Sequence, residues 1–314
     1  RYTCRDELIE VVKEYRNQGI PLDCIVQDWV SWPGDQWGQK TFDPERFSDP
    51  DGLTRRLHEL NARMMISIWP IMRNEGENQR EMREHGFLLA NDATYDAFNP
   101  EARKLYWKQA EEGLFRHGID AWWCDCTEPF EADWKGRMKE EPCQRMLLNT
   151  GECKTYLDPE MINAFSLLHS KGIYEGQRSS GSGKRVVNLT RSGSPGQQRY
   201  GTITWSGDIS ANWETLRRQI ADGLNFAVTG NPRWTCDIGG FFVAPGEEWF
   251  RQGDYPRGCK DEGYRELYAR WFQYGAFLPM FRSHGTDTPR EVWRFGQPGE
   301  RVYDVLVAFS FLRY

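Results

Sequence analysis

A (β/α)8 barrel is the fold class this sequence predicts, and three observations carry it. Seven apolar runs of strand length are separated by helical segments along the 314 residues, an order that yields a parallel sheet with right-handed crossovers. Polar or aromatic residues close each run, whereas an open doubly wound sheet concentrates its site at one switch point. Two of the closing residues are aspartates, Asp125 after the run from 119 and Asp208 after the run from 202. Acidic residues at the carboxyl ends of strands are where a barrel keeps its chemistry.

The elements follow in order. A first helix over 5–17 carries Leu8, Val11, Val12 and Tyr15 on one face, and Gly19 stops it. An extended run over 22–29 ends in Gln27-Asp28-Trp29. Asp49 then caps a helix with Pro50 at its first position and Leu53, Leu57 and Leu60 as its apolar stripe. The run 64–70 is a strand stopped by Pro70. Asn99-Pro100 opens a helix to His117, with Gly118 as its stop, and the strand that ends at Asp125 follows. Asp158-Pro159 opens the next helix, and 185–191 is the next strand. The Asp208 strand, a helix over 213–229, a strand over 234–240, a helix over 264–274 and a seventh strand over 277–284 complete the series. A last helix begins at Tyr303. This reading makes residues 1–314 a single catalytic domain whose first strand would precede Arg1, with insertions at 71–98 and 130–157 in βα-loop positions.

Composition narrows the function. A formal charge of -6 carries no nucleic-acid footprint. A mean hydropathy of -0.73 and the lack of a long apolar run argue against a membrane span. The 8 cysteines lack the paired spacing of a zinc site. Cys24, Cys124, Cys126 and Cys236 fall in expected core strands, which suits buried thiols in a reducing, cytoplasmic setting, with no signal peptide visible. On a strand, Cys124 and Cys126 would point to one face, but nothing completes a metal ligand set. The Asn188-Leu-Thr190 sequon lies in a strand, where glycosylation is not expected. Ser179 to Lys184 is a flexible turn rather than a phosphate loop, because a strand follows it.

Two carboxylates among 14 tryptophans suit cleavage of a sugar acetal. One group attacks or stabilises the anomeric carbon while the other protonates the leaving oxygen. Aromatic faces bury the C–H faces of sugars. Double displacement needs an ionised nucleophile and a protonated acid about 5–5.5 Å apart. A negative neighbour and partial burial would both raise the pKa of Asp208.

The strand ends together resemble glycoside hydrolase family 31, the retaining α-glycosidases, over essentially the whole chain. Gln27-Asp28-Trp29 resembles the second-strand element that gives an aspartate to the sugar subsite, and Ile68-Trp69-Pro70 resembles the third-strand element. Trp123-Cys124-Asp125-Cys126-Thr127-Glu128 resembles the nucleophile motif. Thr190-Arg191-Ser192 with Gly196 to Tyr200 resembles the arginine element, and Trp205-Ser206-Gly207-Asp208 the acid/base motif. Asp237 to Phe241 and Arg282-Ser283-His284 resemble the last two subsite elements.

The resemblance implies that Asp125 is the nucleophile and Asp208 the acid/base, with no cofactor or metal. Asp28, Asp237 and His284 would meet sugar hydroxyls, and Trp69, Trp123 and Trp205 would wall the pocket. Arg191 would reach the leaving-group side, and Arg282 would hold Asp237 or Asp125 ionised. Glu128 would orient the nucleophile loop, and His58, His85, His117 and His169 are given no role. The substrate would be an oligosaccharide or other α-glycoside, and flanking β-domains are expected outside the segment.

The wording around Asp28, Trp69 and Glu128 looks most like the α-xylosidase-type branch, with α-glucosidase as the alternative. Trp123 departs from the lysine that some α-xylosidases carry two residues before the nucleophile, which counts against xylose. Two other readings stay open, a non-catalytic carbohydrate-binding barrel and an α-glucan lyase. The first predicts a lost carboxylate, yet both are present; the second would release an anhydro-sugar.

Overall fold

The computed structural model describes residues 2–134, 141–286 and 288–314. The chain divides into two compact units, Arg1–Glu131 with Met146–Thr202, and Ala132–Arg145 with Ile203–Tyr314. Residues 135–140 of the second expected insertion lie outside the described residues.

The first unit is built from β1 (Cys24–Gln27), β2 (Arg63–Ile68), β3 (Ala121–Cys124) and β4 (Asn188–Thr190), with α1 (Arg5–Asn17), α2 (Pro50–Glu59), α3 (Glu77–Glu84), α4 (Pro100–Gly113), α5 (Pro142–Cys153, its residues up to Arg145 in the other unit) and α6 (Ile162–Ser179). Consecutive strands pair in parallel, with Cys24 opposite Arg63, Met65 opposite Ala121 and Trp122 opposite Asn188. Five of the six β2 residues are buried, as expected for a strand covered on both faces. Leu8 and Val12 of α1, Leu53 and Leu57 of α2 and Tyr106 of α4 pack into the same core as Ile66 and Trp122. Full burial of each such leucine stabilises by roughly 1.5–3 kcal/mol.

The helix starts obey the caps read from sequence. The Asp49 side chain accepts from the Gly52 amide at 2.9 Å. Asn99 accepts from the Glu101 amide at 2.9 Å and Asp158 from the Glu160 amide at 3.0 Å. Gly118, at φ 97, stops the segment after α4, and it lies so close to Thr54 that a Cβ would meet Oγ1 at 2.7 Å. After α6, Lys184 ties the turn to the Gly118 and Ile119 carbonyls and to Asp120, each within 3.1 Å. That lysine is a structural tie.

The second unit carries β5 (Thr202–Trp205, its first residue in the other unit) and β6 (Trp234–Thr235), paired in parallel, with α7 (Trp213–Val228), α8 (Glu262–Gly275) and α9 (Arg301–Arg313). Its core is aromatic. The Tyr268 ring of α8 stacks on Phe295 at 3.8 Å, and Tyr264 and Trp271 are fully buried beside it.

Two expectations need correction. The strands are shorter than their apolar runs, because pairing stops where polar side chains and glycines take over: β5 ends at Trp205, three residues before Asp208. The seventh run, 277–284, forms no strand among the described residues and makes a single parallel bridge, Ile238 to Ser283. Pro279 removes an amide donor there, and residues 277–279 are turn and bend. No helix among the described residues is long and apolar enough to cross a membrane.

Candidate active site

In the first unit, the residues singled out by sequence lie just past the ends of β1 to β4. Asp28 follows β1, and its carbonyl accepts from the buried Gln27 amide group at 2.8 Å. Trp69 follows β2, buried, with its indole N–H donating to Ser67 Oγ at 3.1 Å and its carbonyl accepting from the Tyr106 hydroxyl at 2.8 Å. Side chains alternate along β3. Trp122 turns to the helices, where it meets Trp107 and donates to Gln177 at 2.8 Å, so Trp123 turns to the other face of the sheet, fully buried.

Asp125 extends that strand by one residue, its amide bonded to the Ile68 carbonyl at 3.1 Å. Its Oδ1 accepts from the Cys126 amide at 2.8 Å and lies 3.5 Å from Arg191 Nη1. The same guanidinium donates to Glu128 Oε1 from Nε at 2.8 Å and from Nη2 at 2.5 Å. One cation thus serves two carboxylates. Arg191, expected on the leaving-group side, is placed against Asp125 and Glu128.

Cys126 corrects another expectation. The strand stops at Cys124, and Cys126 sits at φ 50 in the loop, so the two thiols do not share a strand face. Its Sγ lies 2.7 Å from Arg191 Nη2. Cys124, by contrast, is a core thiol whose ionisation burial suppresses.

Sequence reasoning missed what holds this loop. Thr127 Oγ1 lies 2.8 Å from Thr190 Oγ1 and 2.7 Å from Ser192 Oγ. Gln197, buried in the turn before β5, donates to Ser166 Oγ at 2.8 Å and to Ser170 Oγ at 3.1 Å. These short polar side chains lock the loop after β3 to the end of β4. Their only signal was hydroxyl residues beside the acidic motif. A tryptophan panel also went unseen: Trp37 packs on Trp29 at 5.2 Å and on Trp69 at 5.1 Å, edge to face.

In the second unit, Asp208 lies in the loop beyond β5, after Gly207 at φ 80, and is exposed. The partial burial expected for it is therefore not found. Trp205, at the end of β5, is buried, and the Arg282 guanidinium lies 5.7 Å from its ring. Arg282 Nη1 donates to Asp237 Oδ1 at 2.5 Å, and Asp237 is wholly buried. Of the two partners expected for Arg282, its unit provides Asp237. Gly239 and Gly240, at φ 85 and 77, turn the chain there, where a Cβ on Gly240 would meet the Ala211 amide at 2.6 Å.

His284 packs its ring 5.4 Å from Phe241. Burial, with Arg282 and Arg290 nearby, holds its pKa well below 6.5, so the imidazole is neutral at neutral pH. A neutral ring has one donor and one acceptor nitrogen, the pair a sugar hydroxyl can use. Each unit therefore presents an acidic residue, a guanidinium and tryptophan faces.

Comparison with known proteins places the chain in a family. The model of the glycosyl hydrolases family 31 TIM-barrel domain matches residues 1–314. An α-xylosidase of Saccharolobus solfataricus is 40% identical over 314 residues, covering 100% of this chain and 40% of its own length. The α-xylosidase A of Aspergillus niger is 29% identical over 349 residues, covering 100% and 46%. The crystal structure of a family 31 α-xylosidase from Xanthomonas citri superposes with a TM-score of 0.85 at 36% identity, covering 100% of this chain and 34% of that one. A soil-metagenome α-xylosidase of the same family, complexed with xylose, gives 0.80 at 31%, covering 100% and 47%. The chain thus spans less than half the length of these relatives. With the domain model matched from residue 1 to residue 314, the chain belongs to glycosyl hydrolases family 31, as its TIM-barrel domain.

Proposed function

We propose that this chain is the catalytic domain of a retaining α-glycoside hydrolase that removes non-reducing terminal α-linked sugars, with α-xylosides as the preferred substrates. The observation that carries this reading is the Asp125 carboxylate, set at the end of β3 with the Arg191 guanidinium 3.5 Å away.

In this reading Asp125 attacks the anomeric carbon. The bond to the leaving oxygen breaks as Asp208 gives that oxygen its proton, leaving a β-glycosyl ester on Asp125. Asp208, now a carboxylate, takes a proton from water as the water oxygen attacks the same carbon. The sugar leaves with its α configuration, and both aspartates return to their starting states. Asp28, Asp237 and His284 bind hydroxyls, and Trp69, Trp123 and Trp205 cover the apolar faces of the ring. Arg191 stabilises the carboxylate that is regenerated, and Arg282 holds Asp237 in its ionised, accepting form.

Xylose is favoured by the 40% identity, over the whole chain, to the S. solfataricus α-xylosidase. An α-glucosidase is the second reading, favoured by Trp123 at the position where a lysine marks some α-xylosidases. The test is hydrolysis of aryl α-xyloside, α-glucoside, α-galactoside and α-N-acetylgalactosaminide by the full-length protein, beside Asp125→Ala and Asp208→Ala. Cleavage of the xyloside that vanishes in Asp125→Ala is the expected result. Cleavage that survives Asp125→Ala, or none of any glycoside by folded protein, would overturn the proposal.

A further inference from the structure

Lys40 lies in the loop between β1 and α2, the loop that also carries Trp29 and Trp37, and it is almost wholly buried at 1% exposure. Among the described residues its ammonium makes no ion pair. It sits 3.3 Å from Met72 Sδ and 4.3 Å from the centre of the Tyr106 ring. Burying an ammonium on a ring face and a thioether is costly, and the ring face returns only part of that cost.

What it touches leads to the tryptophan panel. The Tyr106 hydroxyl donates to the Trp69 carbonyl at 2.8 Å, and Trp37 packs edge to face on the Trp69 ring. The Lys40 amide donates to Asn78 Oδ1 at 2.7 Å, and the Asn78 amide donates back to Gln39 Oε1 at 2.9 Å. A Cβ on Gly113 of α4 would lie 1.8 Å from the Lys40 carbonyl oxygen, so the backbone is seated directly on that helix. The loop is therefore pinned from beneath, and the cation rests on the residue that also fixes Trp69.

We propose that Lys40 is a positioning residue for sugar recognition: its buried ammonium on Tyr106 fixes the loop carrying Trp29 and Trp37 against Trp69, and so sets discrimination between α-pentosides and α-hexosides. This rests on the glycosidase reading above for what the panel recognises, but the seating of the loop can be tested without it.

The groups facing Lys40 make its charge adjustable near neutrality. Burial brings its pKa down to about 7, opposed by Glu81 of α3. Glu81 is itself bonded to Lys108 and Gln109 of α4. His169 of α6 is kept neutral by burial and by Lys40, at a pKa of about 3. The phenols of Tyr95 and Tyr106 are pushed up by burial and stay protonated.

The experiment pairs two readouts on the full-length protein, for wild type, Lys40→Met and Tyr106→Phe. The first is tryptophan emission titrated from about pH 6 to 8, either side of that pKa. Wild type should show a transition that Lys40→Met lacks. The second is the ratio of kcat/KM for aryl α-xyloside over aryl α-glucoside across the same range, in which acid–base steps common to both substrates cancel. The wild-type ratio should drift with pH, and Lys40→Met should shift it by about threefold to tenfold and make it flat. Tyr106→Phe, which keeps the ring, should shift the ratio but retain the drift. A transition that persists in Lys40→Met, or is absent from wild type, overturns the proposal, as does a ratio unchanged in folded Lys40→Met. A transition lost in Lys40→Met with no glycoside cleaved by any variant would support the seating of the loop and count against the glycosidase reading.

Discussion

The Arg191 guanidinium stands 3.5 Å from Asp125 and donates twice to Glu128, so the charge beside the expected nucleophile is shared with a carboxylate three residues along the chain. All three side chains are largely buried. Arg191→Met removes the cation that Asp125 and Glu128 share. It is expected to lower kcat/KM on the order of 100-fold and to destabilise by about 3–5 kcal/mol. Steady-state kinetics and denaturant melts check both. Partial rescue by added guanidinium would tie the loss to the charge, whereas unchanged kinetics would remove Arg191 from the site.

Asp237 and Arg282 form a second buried pair, at 0% and 8% side-chain exposure. Replacing either alone takes that ion pair from the other in a buried setting. Asp237→Asn and Arg282→Met should each cost about 3–5 kcal/mol, while the double variant should cost less than the sum of the two. A double-mutant cycle in urea measures this. Strict additivity would mean that the pair is not coupled.

Lys40 makes stability depend on alkaline pH. Its folded pKa of about 7 lies below the ordinary 10.5, so between those values the unfolded chain holds more protons. Stability therefore rises with pH across that window, by at most about 1.4 kcal/mol per unit, and the cost of the buried charge is full below it. Lys40→Met should be more stable than wild type at neutral pH, with the gap closing toward pH 10.5. Chemical melts at several pH values check the sign; a gap that widens with pH would contradict it.

His169 acts in the acid range. It is fully buried, with Nδ1 2.7 Å from the Tyr95 hydroxyl, and its pKa falls from 6.5 to about 3. The unfolded chain again binds more protons, so this residue's contribution is present above 6.5 and is lost as pH falls toward 3. His169→Gln should flatten the acid side of the stability profile while lowering stability at neutral pH. An acid limb of the same steepness in the variant would assign it to other groups.

Much of this was legible in the chain because short-range chemistry fixed it. Asp49, Asn99 and Asp158 cap helices through amides two or three residues away, and Gly118 turns the chain where a side chain would strike Thr54. The order of strand ends brought out Asp28, Trp69, Asp125, Asp208 and Asp237, because each lies within three residues of its strand.

What stayed hidden depends on partners far away in sequence. Lys40 belongs to none of the motifs the sequence offers, yet it meets Met72 and Tyr106. His169 sits on a helix with no motif around it, and its partner is 74 residues distant. The contacts of Arg191 with Asp125 and Glu128 went unread because sequence order does not say which side of a strand end a guanidinium takes. The seventh run failed as a strand although its pattern was apolar, since Pro279 and the turn before it leave one bridge at Ser283.

Covalent trapping tests the central claim most directly. A fluorinated glycosyl fluoride, which forms the glycosyl-enzyme quickly and releases it slowly, would be incubated with the full-length protein, digested and sequenced by mass spectrometry. The expected result is one sugar esterified to Asp125, absent from Asp125→Ala. A label on Asp208, Glu128 or any other residue, or none while turnover continues, would contradict Asp125 as the nucleophile.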